Sequence, residues 1–179
     1  MNNCKNECPI LSASLVTLTR GKYAVVDTEM LPLVDEHKWY CLGVPRYIRA
    51  ARSKTTGGVK RTYLMHRVIT GLKHGDERVV DHINHNSLDN RVSNMRVCKQ
   101  SQNTMNVIST TGSSRFKGVS WQTKARRWAS YIRVNKRRIH LGYFKDEWSA
   151  AEAYNKKALE LFGEFALLNE WKELNSDDR

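Results

Sequence analysis

Apolar and polar positions alternate in short runs along most of this chain, and a helical period is sustained only near its C-terminal end. Ser14-Leu15-Val16-Thr17-Leu18 and Lys22-Tyr23-Ala24-Val25-Val26-Asp27 read as strands separated by the turn residues Arg20-Gly21. Met30 to Asp35 predicts a short helix, because Pro32 is tolerated in a first turn. Aromatic and β-branched residues at Trp39-Tyr40, Tyr47-Ile48 and Tyr63-Leu64 predict further strands, with a hairpin turn at Thr56-Gly57-Gly58. Val79-Val80 should form a short strand that ends at Asp81, and Met95-Arg96-Val97-Cys98 a second. The polar stretch from Asn84 to Asn94 loops between them, and a helix follows Cys98 with Asn103 in its first turn.

After this half, Ile108 to Ser114 is small, polar and without periodicity, which reads as a linker. Beyond it, Phe116 to Trp121, Arg127 to Arg133 and Arg138 to Tyr143 predict three antiparallel strands. Alternation places Trp128, Ser130 and Ile132 with Ile139, Leu141 and Tyr143 on one side, and Tyr131, Arg133, Arg138 and His140 on the other. The first side needs a cover. A helix from an Asp146 N-cap to about Phe162 supplies it, with Ala151, Tyr154, Ala158 and Leu161 at helical spacing and Gly163 as the stop. The expected class is α+β, organised as an N-terminal region over 1–107 with its motif core at 64–107, a linker at 108–114, a sheet-plus-helix module at 115–170 and a polar tail at 171–179.

Charge narrows the class of partner. The 179 residues carry a formal charge of +12, and from Arg115 to Lys145 there is no Asp or Glu at all, which makes a nucleic acid the leading partner. An anionic membrane surface fits poorly, because the basic residues interleave with Trp121, Trp128, Tyr131 and Tyr143 in a strand-like pattern instead of forming a helical polar face. No apolar run has the length of a spanning helix, and Met1 to Lys5 lacks an apolar signal core, so a soluble, intracellular, cytoplasmic protein without membrane partners is expected. Cys4, Cys8, Cys41 and Cys98 are too scattered for a disulfide framework. Cys4 and Cys8 could share a zinc ion, but no nearby Cys or His pair completes a tetrahedral set.

The chemistry lies in Val80-Asp81-His82-Ile83-Asn84, with Asn94 and Asn103 downstream. Asp81 and Asn103 offer oxygen ligands, which suit one Mg²⁺ or Mn²⁺ per site and fit Zn²⁺ poorly. His82 is then available as a base that takes a proton from water, while the cation stabilises charge at a phosphodiester. Neighbours on a strand point to opposite faces, so Asp81 and His82 serve one site only if the strand breaks there. Taken singly, an Asp-His pair is usually turn chemistry, and Asn-rich loops usually satisfy their own backbone. Jointly, Met65-His66-Arg67, Asp81 to Asn86, Leu88-Asp89-Asn90-Arg91, Asn94-Met95-Arg96 and Gln102-Asn103 resemble the HNH endonucleases of the homing type, over roughly residues 15–107.

That resemblance implies a ββα-metal fold in which Asp81 and Asn103 bind the metal, His82 activates water and Asn94 holds the loop in shape. His85 departs from the pattern, where the family commonly has Gly. His66 has two readings, as a residue that touches DNA or supports the site, and as a hydrogen-bonded histidine on a strand edge. The basic module resembles the AP2 DNA-binding domain through Phe116-Lys117-Gly118-Val119, Trp128-Ala129, Ile132-Arg133, Leu141-Gly142-Tyr143-Phe144, Ala150 to Tyr154 and Leu168-Asn169. This implies that Lys117, Arg133, Arg138 and His140 face DNA, with Trp121 and Arg126 nearby, and Tyr131 shares their side of the sheet. Ser120, Tyr131 and His140 differ from the usual residues of the plant factors, so the base code does not transfer.

The expected function is metal-dependent hydrolysis of double-stranded DNA with AP2-like targeting and no small-molecule cofactor beyond the metal. One motif per chain means that cutting both strands needs a dimer or two sequential nicks. The rivals are a sequence-specific regulator built on an inactive nuclease scaffold, and a structural-zinc DNA-binding protein.

Overall fold

The computed structural model describes residues 12–45, 47–107 and 112–171. Their packing divides the chain into two units, Met1–Gln100 and Ser101–Arg179. The division comes ahead of the expected linker, because Met105 packs against Ile132, Tyr154, Ala158 and Phe162 of the second unit. Residues 108–111 of that linker, the Cys4/Cys8 pair and the tail from 172 lie outside the described residues.

In the first unit, β1 (Ala13–Thr17) pairs antiparallel with β2 (Tyr23–Asp27), and α1 (Leu31–Val34) follows with Pro32 in its first turn. β3 (Tyr40–Leu42), β4 (Arg49–Thr56) and β5 (Val59–Leu64) form an antiparallel sheet in the order β3-β4-β5. The chain turns directly from β5 into α2 (Met65–Ile69), an element too short to carry a readable helical period. One core gathers Val16, Leu18, Ala24, Val26, Val34, Trp39, Cys41, Ala50 and Met65. Trp39 can lie in it because its indole N–H donates to the Val34 carbonyl at 2.7 Å.

β6 (Val79–His82) and β7 (Met95–Cys98) form a separate antiparallel hairpin. Two connections fix it to the rest of the unit. Arg67 donates to the carbonyls of Lys73, Asp76 and Arg78, clamping the segment between α2 and β6. The long loop of the hairpin runs beside β2: Val25 donates to the Leu88 carbonyl at 2.8 Å, Asn90 donates to the Val25 carbonyl at 2.7 Å, and Val92 donates to Asp27 Oδ2 at 2.7 Å.

The second unit opens with α3 (Gln100–Asn103), which straddles the division. β8 (Val119–Gln122), β9 (Arg127–Val134) and β10 (Arg137–Phe144) form an antiparallel sheet, and α4 (Glu147–Phe162) packs on it. Asp146 caps α4 by accepting from the Ser149 N–H at 2.8 Å. The buried residues of α4 are Ala150, Ala151, Tyr154, Ala158 and Phe162, so the apolar stripe ends on Phe162 and the expected Leu161 is turned outward. Gly118 must be glycine. Its φ is +78°, and a Cβ there would collide with the Tyr154 ring and the Tyr131 carbonyl.

Alternation fails at one place in this sheet. Ile139 faces Ile132 and His140 faces Tyr131, but a bulge before Gly142 shifts the register, so that Tyr143 faces Ala129. The extra residue reverses the side of everything after it. Tyr143 therefore stands on the open face with Tyr131 and Arg133, and not on the helix side as strict alternation requires.

Candidate active site and nucleic-acid face

β6 does not break between Asp81 and His82. The strand stays paired through His82, with Asp81 opposite Arg96 and His82 opposite Met95. The two side chains thus leave the hairpin on opposite sides, one residue from its loop end. Asp81 is 4 % exposed, and the cross-strand register delivers Arg96 to it: Nε and Nη2 both donate to Oδ2, at 2.8 and 2.7 Å. The guanidinium holds the buried carboxylate in one orientation.

His82 is buried on the other side. Its ring meets that of His66 at 5.3 Å between centroids and an angle of 86°, and its Nε2 lies 3.5 Å from Asn90 Oδ1. Burial pushes the His82 imidazole below its ordinary value of 6.5, against the opposing pull of Asn90, Asp81 and Asp89. The ring is therefore neutral at neutral pH and has a lone pair to accept a proton.

His66 stands on α2, not on a strand edge, because the chain turns into that helix at Met65. It is buried, and its Nδ1 has no hydrogen-bond partner among the described residues. Burial first, then the charges of His82, Arg49 and Arg67, push its pKa down to about 3. The Arg49 charge, on β4, acts on both imidazoles.

Asn94 makes the bonds of a loop clamp. Its Oδ1 accepts from the Asn84 N–H at 3.0 Å, while its Nδ2 donates to Asn84 Oδ1 at 3.0 Å and to the Asp89 carbonyl at 2.8 Å. Asn84 also donates to Asp89 Oδ2, which Arg91 holds at 2.6 Å. Asn84, Asp89 and Asn90 belong to the motif read from the sequence, which by itself assigns them no role, and Asp27 lies outside it; the structure shows their contacts in and around this loop. The available signal was local. Asn84 and Asn86 each accept from the backbone N–H two residues on, the spacing of successive Asx turns. The contact of Asp27 with Val92 spans 65 positions and leaves no such trace.

His85, at the position where Gly is common in the resembled family, has φ +62°. A side chain in this left-handed region costs roughly 1–2 kcal/mol, partly offset by the greater unfolded-state freedom of glycine. His85→Gly is therefore expected to raise unfolding stability by about 0.5–1 kcal/mol, read from the shift of a urea midpoint at unchanged slope.

Asn103 ends the single turn of α3 and belongs to the second unit. On the sheet of that unit, the open face carries Tyr131, Arg133, Arg138, His140 and Tyr143. The Arg138 guanidinium sits 3.4 Å from the Tyr131 ring centre, and His140 lies between Tyr131 and Tyr143 at 5.0 and 4.6 Å. Arg133 is exposed opposite Arg138. Arg126 is exposed in the β8–β9 turn with φ +49°.

Trp121 and Lys117 do not share the open face with these residues. Trp121 pairs with Trp128 on the helix side, their rings 5.2 Å apart, since it lies two residues beyond the core residue Val119. Lys117 is half-buried and donates from Nζ to the Met105 carbonyl, and burial pulls its pKa down to about 8. Its backbone is clamped by Asn169, whose side chain accepts from the Lys117 N–H at 2.7 Å and donates to its carbonyl at 3.0 Å.

Among the described residues no three His, Cys, Asp or Glu side chains gather as a metal cage, and no helix is long and apolar enough to cross a membrane. Carboxylate and carboxamide oxygens are the donor types that suit a hard cation such as Mg²⁺ or Mn²⁺.

Buried Asp81 and His82 thus stand on one hairpin closed by an asparagine-clamped loop. The family model for HNH endonucleases matches residues 63–105. Over 150 residues, 84% of this chain and 76% of the relative, the sequence is 34% identical to an uncharacterized HNH endonuclease of Acanthamoeba polyphaga mimivirus. No solved structure matches. The chain belongs to the HNH endonuclease family, whose members act on DNA.

Proposed function

We propose that this protein is a metal-dependent DNA endonuclease of the homing type, in which His82 draws the proton from the attacking water and an AP2-like second unit selects the target. The observation that carries the reading is the buried, neutral His82 imidazole on a short hairpin whose other side carries the buried Asp81–Arg96 pair.

His82 needs a lone pair at neutral pH, and desolvation maintains it. A backbone phosphate laid across the loop end of the hairpin would reach both the His82 and the Asp81 sides. Asp81 and Asn103 would hold the cation, which when bound would stabilise negative charge on the phosphate and on the leaving oxygen. Arg96 holds the Asp81 carboxylate in one orientation, and the clamp of Asn84, Asp89 and Asn94 holds the loop that follows His82. The AP2-like reading of the second unit rests on its three-stranded sheet and helix, and on the cationic, aromatic open face of that sheet.

Incubation of the purified protein with supercoiled plasmid and host DNA tests this reading. Cleavage is expected with Mg²⁺ or Mn²⁺ and is expected to stop with chelator, with Zn²⁺ a poor substitute. Asp81→Asn is the informative variant, because it keeps an acceptor for Arg96 that Asp81→Ala would remove, although it also removes the counter-charge. Asp81→Asn should lower metal-dependent cleavage with some loss of thermal midpoint, and Asn103→Ala should lower it at an unchanged midpoint. Specific binding without cleavage under every metal would favour a regulator on an inactive scaffold instead.

A further inference from the structure

His66 carries a polar nitrogen that the folded chain does not use. Its neighbour Met65 is fully buried in the core, and His66 itself is buried with its ring edge-to-face against His82. A phenyl ring at this place would make the same edge contact and would bury no polar atom. The imidazole instead leaves Nδ1 buried without a partner among the described residues. The surroundings also disfavour its charged form, since the Arg49 and Arg67 charges both act on it. A neutral ring keeps one nitrogen as donor and one as acceptor. An unpaired polar group costs stability, and such a cost persists where the group is used in another state of the molecule.

We propose that His66 is a positioning residue of the hydrolytic site, holding the His82 ring in its orientation and completing its own hydrogen bond only when DNA and the attacking water are in place. The inference rests on the reading of His82 as the base. No proton need leave His66: His82 takes the proton of the water, and His66 fixes where ring and water stand.

His66→Phe, His66→Asn and His66→Ala test this in the full-length protein with Mg²⁺. Phe keeps the ring contact without nitrogen, and Asn places its amide near the position of Nδ1. Thermal midpoint, affinity for plasmid DNA in chelator, and kcat and KM for cleavage are measured together. His66→Phe is expected to be at least as stable as wild type, to bind DNA equally, and to lose about 10- to 100-fold in kcat with KM unchanged. His66→Asn should recover several-fold over His66→Phe. Wild-type kcat in His66→Phe would overturn the inference, as would a rate loss that Asn does not relieve. If His66→Phe fails to fold, the comparison of Asn with Ala decides: a several-fold higher kcat for Asn supports the role, and equal rates overturn it. Should wild type itself fail to cleave, the nuclease reading falls and the role of His66 with it. Wild-type cleavage with indifferent His66 variants removes this inference alone.

Discussion

Replacing His82 by Ala is expected to slow DNA cleavage by about 10²- to 10⁴-fold, the range over which a positioned base contributes, while DNA affinity stays within about twofold. Burial keeps the His82 imidazole neutral near neutral pH, as a base requires. The basic surface proposed to bind the polyanion lies mostly on the second unit. The sign of the pH dependence follows from burial. Desolvation lowers the His82 pKa below 6.5, so the ring stays neutral and active as pH falls through the ordinary imidazole range, and activity is lost only below it. The pH profile of kcat/KM should therefore have an acidic limb below 6.5 that His82→Ala abolishes. A limb above 6.5, or near-normal cleavage by the Ala variant, would remove His82 from this role.

Arg133→Ala with Arg138→Ala is expected to weaken DNA binding by on the order of 10- to 100-fold, and to reduce the slope of log K against log salt by about two, since each phosphate contact contributes roughly 0.9. The two arginines pair across β9 and β10, and the stack of Arg138 on Tyr131 holds one of them in place before DNA arrives. Tyr143→Ala should cost less and leave the salt slope unchanged, because a phenol ring releases no counterion. A double Arg variant with the wild-type slope would mean that DNA meets the protein on another surface. These measurements are made on the full chain, with cleavage blocked by chelator.

Much of the local structure was legible residue by residue. The turn at Arg20-Gly21, the hairpin turn at Thr56-Gly57-Gly58, the Asp146 cap and the Gly163 stop are written in short-range chemistry, and the chain adopts them. Legibility ended where one inserted residue or one distant partner decides. The bulge before Gly142 moves Tyr143 to the open face, although Ile139-His140-Leu141-Gly142-Tyr143 alternates regularly on paper. Only the register shows that Trp121 packs beside Trp128. Only the fold shows that the Lys117 ammonium donates to the Met105 carbonyl.

By itself, the sequence determined the chemical inventory and its spacing: an Asp-His pair, three asparagines at set intervals, a basic stretch without acids, and the periods that make strands and one long helix. Those are properties of composition and of neighbours up to about four positions apart, which the backbone geometry of strand and helix translates directly. Only the tertiary structure decided that β6 continues through His82, that Arg96 orients Asp81, that His66 turns on a helix to meet the His82 ring, and that β2 braces the loop through Val25 and Asp27. The physical reason is that burial and partnership are set by residues far apart in the chain, and desolvation, which keeps the His82 imidazole neutral, exists only once those residues have closed around it.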